Sequence, residues 1–211
     1  MAKVKEAVQK TTKKGVSAMK RAVGNLLTQR INNVVVPGLY AKTVEKIGRE
    51  NVAIVFGSNL SIKKDGSNVM GAGLAKQIKE RIPGIDKAHG EALMKFKGVQ
   101  QIWPTKSGTK DPIIIAFPVK RHWSEDGNTW LIEKSCHELK AIASANKEMT
   151  FLWAFPAIGN GKLQPKDVIK IIQKVEMPSN VVLVTKKNPF ETEINEYYES
   201  LGTSQKTKLI K

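Results

Sequence analysis

The segment Val69-Met70-Gly71-Ala72-Gly73-Leu74-Ala75-Lys76-Gln77-Ile78-Lys79 carries the strongest structural signal in this chain. It sets two glycines against the start of an amphipathic stretch, soon after a strand-like apolar run at 51–56. A glycine-rich turn that opens a helix leaves the first backbone N–H groups without intrahelical partners. Those donors, with the positive end of the helix dipole, form a seat for phosphate. A lone Gly-x-Gly also occurs where only a tight turn is needed, so the surrounding chain has to decide between the two.

Working outward, strands and helices alternate. Apolar runs at 51–56, 113–117, 150–155 and 180–185 read as strands, with a weaker one at 99–103 and another at 33–36. Their unbroken apolar character is that of strands covered on both faces. Leu74, Ile78 and Ile82 mark a helix stopped by Pro83. Leu131, Ser135, Leu139 and Ile142 mark a second, with Trp130 and Ile132 broadening its apolar face. A third begins at Pro165 and buries Val168, Ile171 and Ile172. A fourth begins near Pro189 and ends before Gly202, a proline-first, glycine-after pattern. The expected architecture is α/β, a three-layer α/β/α domain around a mixed sheet.

The expected domain plan has three parts. Residues 1–30 form a basic extension whose Val16, Met19, Val23 and Leu26 recur at helical spacing. Residues 31–202 form the α/β domain, and 203–211 a loose basic tail. The 211 residues suffice for one full-sized domain and an appendage. No apolar run reaches the roughly 20 residues that span a bilayer. The single cysteine, Cys136, excludes an internal disulfide framework and favours a reducing compartment, so the expected location is the cytoplasm. Cys136 and His137 have no companions at metal-ligand spacing, and no metal site is expected. The formal charge of +16 favours polyanions, and residues 1–30 alone hold eight basic residues against one acidic. That extension is an expected site of nonspecific nucleic-acid contact; a merely solubilising surface is the other reading.

Ligands of open α/β sheets gather at the carboxyl ends of the strands. Three loops there have suitable chemistry. Gly57-Ser58-Asn59 leads through Lys63-Lys64-Asp65-Gly66 to the Gly71/Gly73 turn. Pro118-Val119-Lys120-Arg121-His122-Trp123 follows the run at 113–117, and reads by itself as a solvated basic loop with a packed tryptophan. Pro156-Ala157-Ile158-Gly159-Asn160-Gly161-Lys162 follows the run at 150–155. Two glycine-rich loops after two parallel strands can clasp a diphosphate from both sides. His122 has no carboxylate or serine partner at local spacing, so a triad is not supported.

At these residues the chain resembles the macrodomain family, whose members bind ADP-ribose. Three blocks carry the likeness: 69–78, 114–123 and 155–163, within a span of roughly 51–185. The chain is most similar to the branch of antitoxins that remove ADP-ribose from DNA and their phage-borne relatives. The resemblance implies one diphosphate loop at Met70, Gly71, Ala72, Gly73 and Leu74, and a second at Ile158, Gly159, Asn160, Gly161 and Lys162. It implies Asn59 near the distal ribose. For the adenine end it offers Gly24-Asn25-Leu26-Leu27, with an amide where the family carries an acid, or Asn188 to Phe190, with Phe190 available to stack. ADP-ribose enters as ligand, and no cofactor is implied.

The resemblance also implies a gap in the catalytic apparatus. The positions at which the hydrolytic branches carry a lysine and an aspartate are Ala72 and Ala75 here, and alanine has no titratable group. Asp65, His122 and Lys162 are the candidate substitutes, and the catalytic residue stays unassigned. Recognition of ADP-ribose or of ADP-ribosylated DNA or protein is the first expectation, with or without removal of the modification. The alternatives are a nucleic-acid-binding protein with an emptied macro-like fold, or a viral structural or assembly protein.

Overall fold

A computed structural model describes residues 35–37, 51–104 and 113–185. Its strands are β1 (Val35–Pro37), β2 (Val52–Asn59), β3 (Gln100–Trp103), β4 (Ile113–Lys120), β5 (Thr150–Ala154) and β6 (Val181–Thr185). They form one sheet in the order β1-β6-β5-β2-β4-β3. Five of them run parallel; β3 pairs antiparallel with β4, which makes the sheet mixed. The described helices are α1 (Gly73–Arg81), α2 (Ile85–Lys95), α3 (Thr129–Ala145) and α4 (Pro165–Val175).

Side chains alternate between the two faces of a strand, and here both faces are covered. On one, Phe56, Ile114 and Ala116 pack with Met70 and with Ile78 and Ile85 of α1 and α2. On the other lie Val55, Ile115 and Phe117, with Trp153 brought alongside by the pairing of Val55 with Trp153. The Phe117 and Trp153 rings meet at 4.9 Å between centroids. Helix α3 reaches this face through the Ser135 hydroxyl, which donates to the Pro118 carbonyl at 2.8 Å. Covering both faces explains why the strands read as continuous apolar runs.

The expected α/β/α architecture with a mixed sheet is therefore present, with four differences in detail. β2 continues to Asn59 and β4 to Lys120, so residues expected in loops sit on strands. Proline at 118 does not end β4: its missing donor falls beside the shift in β2–β4 register at Ser58/Asn59. Helix α2 was not expected. Gly84 in the left-handed region (φ 86°) starts it immediately after Pro83, and Gly90 inside it weakens its helical signature. Trp130 does not broaden the buried face of α3, being 61% exposed, and Trp123 is 53% exposed rather than packed. The expected helices at 16–26 and 189–202, the run at 33–34, the tail and both expected domain boundaries lie outside the described residues. Among the described residues no helix is long and apolar enough to cross a membrane.

Candidate functional site

The carboxyl ends of the adjacent parallel strands β2 and β5 carry the two glycine-bearing loops, residues 60–72 and 155–164. The first is held by buried amides. Asn59, at the end of β2, donates from Nδ2 to the Val69 carbonyl (2.8 Å) and accepts at Oδ1 from the Ser61 N–H (3.0 Å). Asn68 donates from Nδ2 to the carbonyls of Asn59 (3.0 Å) and Ser61 (2.8 Å). Between them a small hairpin pairs Ile62 with Asn68 and turns through Lys63 to Gly66. Gly90 of α2 packs against that turn so closely that a Cβ there would lie 1.8 Å from the Gly66 carbonyl oxygen. Met70, 3% exposed, is driven into the core beneath the loop.

These anchors leave Gly71, Ala72 and Gly73 exposed at the start of α1. Ala72 is the N-cap and no side chain caps the helix, so its first N–H groups face outward unpartnered by any capping residue. Gly73 has φ 59°, a left-handed conformation that costs glycine nothing. Leu74 is half-buried against the core.

The second loop is shaped by its own backbone. Ala157 and Lys162 both adopt positive φ (61° and 55°). The Leu163 N–H donates to the Ala157 carbonyl (3.1 Å) and that of Lys162 to the Gly159 carbonyl (2.9 Å). A Cβ on Gly161 would lie 2.4 Å from the Ala157 carbonyl oxygen, so only glycine fits. The winding leaves Gly159 and Asn160 exposed and Ile158 half-buried at the tip. The two loops face each other: a Cβ on Gly73 would lie 3.3 Å from Asn160 Nδ2.

A third segment, 121–128, joins them. The Leu60 N–H donates to the carbonyls of Lys120 (3.2 Å) and Arg121 (3.1 Å), and the Gly127 N–H to the Gly161 carbonyl (2.7 Å). Beneath the junction lies Lys120, 9% exposed. Its Nζ donates to the carbonyls of Glu125 (2.8 Å) and Asn160 (2.9 Å). Burial pushes its pKa down, Asp126 and Glu125 oppose that, and Lys162 adds to it. Lys162 itself is exposed and pairs with Asp126 at 3.0 Å.

The geometry thus brings the turn of Gly71, Ala72, Gly73 and Leu74 and the loop of Ile158, Gly159, Asn160, Gly161 and Lys162 to neighbouring strand ends, meeting at Gly73 and Asn160. Met70 stands beneath the first of these and supplies an anchor. Asn59 uses its carbonyl and one amide hydrogen to hold the first loop. Phe190 and residues 24–27 lie outside the described residues. Lys76 is exposed and sits 3.6 Å from Glu80. Among the catalytic substitutes, Asp65 is tied to Ser67 within the hairpin; His122 is exposed and, contrary to the sequence expectation, has local partners, with Nδ1 2.7 Å from the Ser124 hydroxyl and its backbone N–H donating to the Glu125 carboxylate at 3.1 Å. Lys120, expected in a solvated basic loop, is instead buried at the end of β4. Its one signal was position: a lysine closing an apolar run that continues through Pro118 and Val119. Cys136 is buried, and burial pushes its thiol pKa up. Among the described residues no cluster of three His, Cys, Asp or Glu side chains is placed to hold a metal ion.

A mixed α/β/α sandwich with two facing glycine loops at the carboxyl ends of neighbouring strands defines the class of protein. Comparison with solved structures gives the fold its name. The macrodomain of Thermus aquaticus DarG superposes with a TM-score of 0.57 at 21% identity, over 73% of this chain and 97% of that one. The macrodomain of Mycobacterium tuberculosis DarG gives 0.54 at 20% identity, over 74% and 99%. A protein of unknown function from Bacteroides thetaiotaomicron gives 0.53 at 12% identity, over 72% and 95%. The chain has the macrodomain fold. No family model and no curated protein matches its sequence.

Proposed function

We propose that the cleft binds ADP-ribose, free or attached to a macromolecule. The observation that carries this reading is the pair of exposed glycine turns after neighbouring parallel strands, one opening an uncapped helix and so near the other that a Cβ on Gly73 would lie 3.3 Å from Asn160 Nδ2. Backbone donors on both sides of a narrow gap suit a diphosphate, whose charge the dipole of α1 favours. The resemblance to the macrodomain family, whose members bind ADP-ribose, supports the same ligand. Calorimetric titration with ADP-ribose at two salt concentrations tests it. Saturable micromolar binding, about 8 kcal/mol, is expected; no heat and no thermal shift at millimolar ligand would overturn the reading.

We further propose that removal of the modification depends on Lys120. Alanine at 72 and 75 leaves the first loop without a titratable side chain, whereas Lys120 lies under the junction of all three segments. Its lowered pKa raises the fraction of neutral amine. A neutral amine has two hydrogens, both directed to the Glu125 and Asn160 carbonyls here. The lone pair that remains can accept a proton from a water that attacks the anomeric carbon of a bound ribose; the new C–O bond forms as the glycosidic bond breaks, and the proton passes to the departing group. Lys120→Ala should abolish release of ADP-ribose from modified DNA or protein while preserving binding of the free ligand. Release at the wild-type rate would remove Lys120 from the chemistry. Binding with no release by the parent chain would make the protein a reader.

The basic extension, residues 1–30, is proposed to hold nucleic acid nonspecifically. Its deletion should remove most of the salt-sensitive affinity for DNA or RNA. Affinity that survives the deletion would assign that contact elsewhere.

A further inference from the structure

Two exposed features stand beside the glycine turns. The first is Trp123, a large aromatic left 53% exposed just after β4, with the His122 ring beside it at 5.6 Å. The second is the hairpin at 62–68, whose turn carries Lys63 and Lys64, both exposed, and whose Ile62 is 38% exposed. They are joined: the Trp123 N–H donates to the Ser61 hydroxyl at 3.0 Å, immediately before the hairpin.

The joint is stiff. The Ser61 N–H donates to Asn59 and the Ser61 carbonyl accepts from Asn68, so Trp123 is tied by a chain of hydrogen bonds to the base of the first glycine loop. The hairpin turn is fixed from below by Gly90. Its charge is positive on balance. Hydrogen bonds from Ser67 hold the Asp65 carboxyl below its ordinary value, and Lys63 and Lys87 close by add to the effect. Arg121 is exposed two residues before the tryptophan. Glu125 is engaged by the His122 N–H and Asp126 by Lys162; a rigid aromatic face with Arg121 and the Lys63–Lys64 turn beside those carboxylates, on a chain of charge +16, is an arrangement that binds unpaired bases by stacking and their backbone by charge. An acidic peptide would satisfy the lysines but give the indole no ring to stack on.

We infer that the rim formed by Trp123 and the Lys63–Lys64 turn binds single-stranded nucleic acid, the indole stacking on a base and the lysines meeting phosphates. Stacking selects unpaired bases, because in a duplex the base faces are already covered. The strand would then run past the mouth of the cleft. Strand binding at this rim needs no ADP-ribose, so its failure and that of the cleft's ligand are separable.

The test is fluorescence anisotropy of labelled oligothymidylate and oligouridylate with the full chain across a salt series, without ADP-ribose. Trp123→Ala should weaken binding of single strands roughly tenfold or more while leaving the salt slope unchanged. Trp123→Phe should keep most of the affinity. The double variant K63A/K64A should flatten the salt slope by about 0.7 for each phosphate that a lysine no longer neutralises. A preference between the two oligomers would report the 2′-hydroxyl and the thymine methyl together and leave the rim assigned. Three results would overturn the inference: no single-strand binding by the parent chain at low salt, wild-type affinity in Trp123→Ala, or equal competition by a duplex of the same sequence.

Discussion

The two loops of the cleft reach the same place by different means. The first, between β2 and α1, is held by side chains: Asn59 and Asn68 bond to its carbonyls, Met70 fills the core below it, and Gly90 locks its hairpin. The second, after β5, is held by backbone conformation, with positive φ at Ala157 and Lys162 and no room for a side chain at Gly161. It borrows a side-chain support from β4, the Lys120 amine beneath Asn160. A loop fixed by buried amides leaves the N–H groups of its glycine turn free for a ligand. A loop fixed by its own winding needs few side-chain supports, and here the Lys120 amine beneath Asn160 is one of them.

That contrast can be broken from either side. The largest effect should come from Gly90→Ala, whose Cβ would meet backbone of the first loop at 1.8 Å; about 3 kcal/mol of stability should be lost. Gly161→Ala, with 2.4 Å to the Ala157 carbonyl, should cost about 2 kcal/mol and leave the first loop intact. Urea denaturation measures both. If either variant is as stable as the parent, that loop is not packed as described.

Acid should weaken the face on which the first loop rests. His89 of α2 is fully buried against Phe56, neither ring nitrogen has a hydrogen-bond partner among the described residues, and burial pushes its pKa down to about 4. The unfolded chain therefore takes up a proton at higher pH than the folded one. The resulting stability is complete above about 6.5 and is lost as pH falls toward about 4. The loss reaches at most about 3 kcal/mol. His89→Leu should flatten this dependence; an unchanged pH profile in that variant would assign the acid sensitivity to other groups.

Asn68→Ala removes the donor to two carbonyls of the first loop and should cost about 2 kcal/mol. ADP-ribose affinity should fall with it, because the glycine turn loses its support. The smallest change in stability should come from Gly73→Val. Its backbone strain at φ 59° is worth about 1–2 kcal/mol, yet the new side chain would stand between the loops and abolish binding. Affinity retained in Gly73→Val would show that the ligand does not enter between them.

Much of this was legible in the sequence, and the exceptions have common causes. Strands β2, β4, β5 and β6 stood out because a sheet covered on both faces demands unbroken apolar runs. Helix α2 did not, because its defining residues, Gly84 and Gly90, are those that weaken a helical pattern, and the need for Gly90 arises only from contact with a distant turn. The glycine loops were visible because two glycine clusters follow two strands of one sheet, where the chain turns at Gly73 with positive φ and at Gly161 with no room for a Cβ. Asn68 and Lys120 were not, for burial of a polar side chain depends on what folds over it. Trp123 and Trp130 were misplaced for the converse reason: apolar character alone does not say that something will cover a ring.

The central claim is that both loops grip one ligand. Backbone amide resonances recorded during an ADP-ribose titration test it most directly. Shifts of Gly71 to Ala75 and of Gly159 to Gly161, saturating together with one dissociation constant, are the predicted result. Shifts confined to one loop, or scattered over the surface without saturation, would contradict it.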